Sequence, residues 1–134
     1  MLYNIDDIGG QLVKDNKQYQ LFDNTSLKNL VVSKTKLRAG QSTNGHRHAG
    51  QEEVYIFTKG QGQMELDYKI FDVKEGDIVL IEDNVFHKVY NKDGPFWLEF
   101  ICVLSVRPRM NASGATSTVP RSRSFCAPSR STMS

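Results

Sequence analysis

The stretch Gly40-Gln-Ser-Thr-Asn-Gly-His46-Arg-His48-Ala-Gly-Gln-Glu52-Glu53-Val-Tyr55-Ile-Phe57-Thr-Lys-Gly60 decides how this chain reads. His46 and His48 stand two residues apart. In an extended segment, residues i and i+2 point to the same face, so the two imidazoles can serve one metal ion. A carboxylate follows after the short break Ala49-Gly50-Gln51. The only other histidine of the chain, His87, lies in a second stretch, Gly76 to Asn91, that also mixes turn residues with a short apolar run. Every histidine therefore falls in one of two places that can converge.

The two stretches share the spacing of a known family. Five residues separate Gly40 from His46, one separates His46 from His48, four separate His48 from Glu53 and six separate Glu53 from Gly60. Gly76, Glu82, Asn84, His87 and Asn91 follow in order. The first set resembles the first motif of the cupins and the second resembles their second motif, over roughly residues 30 to 104. Cupins usually carry proline where Glu82 stands and glycine where Asn84 stands; both departures fall in a turn. The resemblance implies an all-β cupin fold, the double-stranded β-helix or jelly-roll barrel, with His46, His48, Glu53 and His87 as metal ligands. It also chooses between the two glutamates, because the usual six-residue gap to Gly60 starts from Glu53. Parity agrees: Glu53 shares a face with Tyr55 and Phe57, and Glu52 points away to solvent.

The rest of the chain supports the same class without the resemblance. Leu30 to Leu37 reads as a strand with Val31, Ser33, Thr35 and Leu37 on one face. Lys17 to Phe22 reads as a strand before the turn Asp23-Asn24-Thr25-Ser26. Gly60-Gln61-Gly62 reads as a tight turn, and Met64 to Val73 as a hairpin turning near Asp67-Tyr68-Lys69. Ile78 to Ile81 is a continuous apolar run and reads as a buried strand. Phe96, Leu98, Phe100, Cys102 and Leu104 form a wholly apolar face that should meet the core. Residues 1–16 carry no clear pattern, and Gly9-Gly10 argues for a break. Short strands with turn residues between them indicate an all-β sandwich or barrel.

Composition sets the outer bounds. The chain has 134 residues, which suits one domain. No run approaches the ~20 apolar residues of a membrane helix, and the N-terminus lacks a basic-then-apolar leader, so a cytoplasmic protein is expected. Residues 1–106 hold all 15 acids and 12 of the 17 bases, a net charge of −3. Residues 107–134 hold five arginines and no acid, a net of +5. Basic charge is thus absent from the body, which argues against nucleic acid as a partner. The tail has three of the four prolines, seven serines and a single aromatic, Phe125. Such material buries too little apolar surface to offset its ordering entropy. It reads as a disordered segment or as non-native sequence following a single domain of residues 1–106. Cys102 and Cys126 make no disulfide framework, and Cys102 reads as a small core hydrophobe.

Three imidazoles and one carboxylate suit Fe, Mn, Ni or Zn as the divalent ion better than Ca or Mg, which prefer oxygen. Such an ion keeps open positions for a chelating small-molecule substrate. Tyr55, two residues past Glu53 on the same face, is the candidate catalytic acid or base; its plain alternative is a core aromatic. Ser33 and Thr35 can line the pocket, and Lys34, Lys36, Arg38 and Arg47 can meet a phosphate or carboxylate. These features rank a sugar or sugar-phosphate isomerase or epimerase first. A metal-dependent lyase follows, since small cupin lyases acting on dimethylsulfoniopropionate resemble this chain in length, ligand set and tyrosine. A dioxygenase and a non-catalytic ligand-binding module complete the set. A homodimer is expected, because Trp97, Ile101 and Val103 make a second apolar face on the last strand. The alternative is that residues 1–22 fold back over that face.

Removing residues 107–134 should leave the melting temperature and the metal content of the chain unchanged. Differential scanning calorimetry with elemental analysis checks this, and a substantial fall in either shows that the tail packs on the body.

Overall fold

A computed structural model describes residues 1–91 and 95–106; the expectations for residues 107–134 fall outside them. Among the described residues there are nine strands and no helix. They are β1 (Gln11–Asp15), β2 (Tyr19–Asn24), β3 (Leu30–Leu37), β4 (Glu53–Lys59), β5 (Gln61–Leu66), β6 (Lys69–Lys74), β7 (Ile78–Ile81), β8 (His87–Tyr90) and β9 (Leu98–Ser105). One sheet has six strands in the order β1-β2-β3-β9-β4-β7, and the other has three in the order β6-β5-β8. All of these pairings are antiparallel. Two antiparallel sheets enclose the core, which is the jelly-roll architecture expected from the sequence.

Period-two patterning fixes which residues point inward. On β4, Glu53, Tyr55 and Phe57 are buried, while Val54, Ile56 and Thr58 face the other way. On β3, Val31, Ser33, Thr35 and Leu37 face in, and β9 adds Leu98, Phe100, Cys102 and Leu104. Tyr55 stacks on Phe100 with ring centroids 5.0 Å apart, and Phe57 lies 5.3 Å from the same ring. These aromatics fill the barrel beneath the histidines.

Three expectations need correction, and one strand went unread. Phe96 is 74% exposed, because β9 begins only at Leu98 and the alternation does not extend back through the preceding loop. The apolar run Ile78–Ile81 is not buried on both faces: β7 is the last strand of its sheet, and Ile78 and Leu80 are 62% and 69% exposed. Gly60-Gln61-Gly62 is not a three-residue turn; Gly60 alone turns the chain at φ 87°, and β5 starts at Gln61. Residues 11–15 form β1, whose pairing with β2 carries an irregularity between Leu12 and Lys14 that breaks the alternation a sequence reading depends on.

The N-terminal segment covers part of the outer face. Lys34 is buried there: its Nζ donates to the carbonyls of Ile5 and Asp6, both at 3.0 Å, and pairs with Glu99 at 3.2 Å. Ile8 and Ile101 are buried as well. Trp97 is half-buried under the Arg38 guanidinium, 4.5 Å from the ring centre.

Close backbone approach makes one glycine indispensable. A Cβ on Gly62 would lie 2.3 Å from the Tyr90 carbonyl oxygen and 2.8 Å from Leu98 Cδ2. Gly62→Ala must push β5 away from β8 and should cost about 1–3 kcal/mol. Urea denaturation checks this, and a midpoint equal to that of the wild type contradicts it.

Candidate metal centre

Both sheets and one loop supply the four candidate ligands. Glu53 opens β4 and His87 opens β8. His46 lies outside any named strand, in a loop that runs beside β8. Thr43 N donates to the Val89 carbonyl at 2.9 Å, His46 N to the His87 carbonyl at 3.0 Å and His87 N to the His46 carbonyl at 2.9 Å. The expected extended spacing of His46 and His48 therefore survives only as an isolated bridge at His46. The pairing is enough to point the imidazoles the same way: the His46 and His87 ring centroids are 4.3 Å apart, and those of His46 and His48 are 4.4 Å apart.

The turn before His87 completes the frame. Asn84 has φ 64°, a left-handed conformation that asparagine tolerates and most residues do not. That accounts for asparagine standing where cupins usually have glycine. Asn84 N donates to the His48 carbonyl at 3.0 Å, and Asp83 Oδ1 accepts from Gly50 N at 2.6 Å. Arg47 Nη1 donates to the Asn84 carbonyl at 3.2 Å. The histidine loop and the second turn are thus tied backbone to backbone.

The donor atoms fit a metal ion. The ligand atoms of His46, His48, Glu53 and His87 all lie within 4.8 Å of one another. Glu53 Oε2 is 3.3 Å from His48 Nε2 and 3.1 Å from His87 Nε2. Atoms bound ~2.1 Å from one ion stand about 3.0 Å apart at right angles and about 4.2 Å apart across it, so a small contraction suffices. His87 Nδ1 lies 2.9 Å from the Val85 carbonyl; donation there leaves Nε2 with its lone pair facing the cluster. Both ring nitrogens of His46 are buried without a hydrogen-bond partner among the described residues. Burial, then His87, then His48 push the His46 pKa down to about 2. A neutral, dry, unpaired imidazole costs stability by itself and suits a metal donor.

The remaining candidates sort by strand parity. Tyr55 is buried, and its ring is 5.6 Å from that of His87. Burial, then Glu53, then Tyr19 hold its hydroxyl well above the usual phenol range, so it stays protonated. Ser33 donates to Asp23 inside the barrel, whereas the buried Thr35 Oγ1 has no hydrogen-bond partner among the described residues. Lys34 and Lys36 project from the outer face, because even-numbered positions of β3 point away from the core. Arg38 is paired with Asp15 at 2.9 Å. Of the four basic residues expected near the site, only Arg47 adjoins it. A sequence reading misses the sulfur of Cys102, 3.2 Å from Glu53 Oε1; the parity of β9 facing β4 is the signal that predicts it.

Known proteins resemble this chain in sequence and fold. A family model described as a cupin domain matches residues 34–104. The chain is 40% identical over 52 residues to an uncharacterised protein of Methanocaldococcus jannaschii, covering 39% of this chain and 42% of that protein. It is 30% identical over 74 residues to an oxalate-binding protein of Thermotoga maritima, covering 55% and 60%. The chain spans about half the length of the curated relatives it matches. Among solved structures, a conserved Klebsiella pneumoniae protein with a double-stranded β-helix domain aligns with a TM-score of 0.67 at 16% identity, over 90% of this chain and 97% of that one. A Thermotoga maritima protein described as a predicted oxalate decarboxylase aligns with a TM-score of 0.63 at 22% identity, over 78% and 98%. At these identities the structural likeness is one of fold.

Metal added at about a hundred times its dissociation constant should stabilise the chain by about 2.7 kcal/mol. His87→Ala should lose most of that gain and most of the metal found by elemental analysis. Equal metal content in the wild type and His87→Ala contradicts the assignment.

Proposed function

The chain belongs to the cupin family, and on that premise we propose that it binds one divalent transition metal and uses it to hold a small oxygen-chelating carboxylate of the oxalate type. The observation that supports this most is the clustering of three imidazoles and one carboxylate, among them a buried imidazole with no hydrogen-bond partner in the described residues. A bound divalent ion would supply a Lewis-acid seat for two ligand oxygens. The charges of the donor set favour an anion there, since three neutral imidazoles and one carboxylate neutralise half of a divalent charge. The Thermotoga oxalate-binding relative supports the same ligand class.

This chain's own residues set the approach. The His48 side chain is 23% exposed, whereas those of Glu53 and His87 are 1% exposed, so His48 marks the side on which a ligand enters. A cavity of about 680 Å³ borders Glu53, lined by Leu66, Ile81 and Val85 together with the outward-facing Val54 and Leu80 and by none of the three histidines.

A second reading is catalytic: a metal-dependent isomerase or lyase in which Tyr55 handles the proton. The short distance between the Tyr55 and His87 rings favours it. Full burial, the stack on Phe100 and a hydroxyl that keeps its proton weigh against Tyr55 as a base. The sugar-phosphate version loses further support, because Lys34, Lys36 and Arg38 are engaged away from the site.

Titration calorimetry of oxalate into the metal-loaded chain should show binding that disappears with a chelator and in His48→Ala. No heat from the loaded chain rejects the ligand class. Product analysis separates the two readings: turnover that falls about 100-fold in Tyr55→Phe establishes the catalytic one, and oxalate binding without product establishes the first.

A further inference from the structure

A second recess lies on the outer face, at the end of the barrel away from the histidines. Gln20 is registered with Lys36, and Lys36 and Lys59 are both registered with Glu99, so the four side chains form one row across β2, β3, β9 and β4. Together with Phe96 and Trp97 they line a cavity of about 470 Å³. Lys59 ends the strand that Glu53 begins, so about 20 Å of extended chain separates this recess from the metal centre. None of the candidate metal ligands lines it. Lys36, expected from the sequence to meet a phosphate or carboxylate beside the histidines, stands here instead.

The recess is cationic on a body whose net charge is −3. Its one carboxylate, Glu99, is already taken by the buried Lys34, with Nζ 3.2 Å from Oε1. Arg38 lies 4.5 Å from the Trp97 ring centre and is balanced by Asp15. That leaves Lys36 and Lys59, neither of which has a carboxylate partner among the described residues. Lys36 Nζ rests 5.8 Å from the Phe22 ring centre. Two strand spacings put the lysine α-carbons about 10 Å apart, so their long side chains can converge on one anion. Beside them Phe96 is 74% exposed and offers a ring face for stacking. The Gln20 amide can add a hydrogen bond. We propose that this recess binds a small planar aromatic anion of the size of a nucleoside monophosphate, with its ring against Phe96 and Trp97 and its anionic group between Lys36 and Lys59. The cavity volume lies in the range of small-molecule sites. A free inorganic anion makes no use of the rings, and a neutral aromatic makes no use of the lysines. A mononucleotide and an aryl carboxylate share the required chemistry.

Trp97 is the chain's single tryptophan, so its fluorescence reports on the recess directly. Adenosine monophosphate and 4-hydroxybenzoate are titrated separately into the full chain. At least one should change the emission saturably, and calorimetry should return the same dissociation constant. The tighter of the two identifies the source of the anion. Adenosine and inorganic phosphate each carry half of the chemistry and should bind at least about tenfold more weakly. Lys36→Ala combined with Lys59→Ala should weaken anion binding about tenfold or more. Phe96→Ala should weaken it about fivefold or more. Circular dichroism and metal content should match the wild type in both variants. A chelator, or His87→Ala, should leave the dissociation constant unchanged. Absence of saturable binding by either anion at millimolar concentration overturns the proposal. Equal affinity for phosphate or adenosine alone overturns it too, as does undiminished binding in the double lysine variant or binding that is lost with the metal.

Discussion

The reciprocal backbone pair between His46 and His87, at 3.0 and 2.9 Å, is the constraint on which the candidate site depends. It fastens a loop without regular structure of its own to the first residue of β8. Each partner carries an imidazole, and the antiparallel bridge sets both on the same side of the pair. Glu53 then comes from the facing sheet, and its carboxylate lands 3.1 Å from His87 Nε2. Without the pairing, His46 and His48 would sit on a glycine-flanked loop with no fixed direction.

The barrel accepts an energetic cost to hold this arrangement. His46 is 7% exposed with both ring nitrogens unbonded, and each such group forfeits about 1–3 kcal/mol relative to a satisfied one. The aromatic layer of Tyr55, Phe57 and Phe100 beneath it offsets that cost through buried area and stacking. A bound cation would partner one of the two ring nitrogens and remove that share of the cost. A site of this kind would exchange local stability for affinity toward a metal ion.

Much of this was legible in the sequence because strand parity is a rigid rule. Glu53, Tyr55 and Phe57 face inward, as their alternation requires, and the four residues that the motif spacing singles out lie together. The same rule, properly applied to β3, would have sent Lys34 and Lys36 outward and away from any substrate. Other features were hidden. The hydrophobicity of Ile78–Ile81 shows that the strand has two apolar faces, but not that one of them lies at a sheet edge. β1 was illegible because an irregular pairing interrupts its alternation. The N-terminal cover over Lys34 depends on backbone carbonyls, which every residue carries and no sequence pattern reveals. The tolerance of Asn84 in a glycine position became clear only from its φ of 64°.

X-ray absorption on the chain loaded with one equivalent of Zn tests the central claim most directly. The account predicts nitrogen and oxygen neighbours at ~2.0–2.2 Å with outer-shell scattering from about three imidazoles. A site made mainly of oxygen, with fewer than two imidazoles, or one with a sulfur neighbour near ~2.3 Å, would contradict the assignment of His46, His48, Glu53 and His87 as the metal seat.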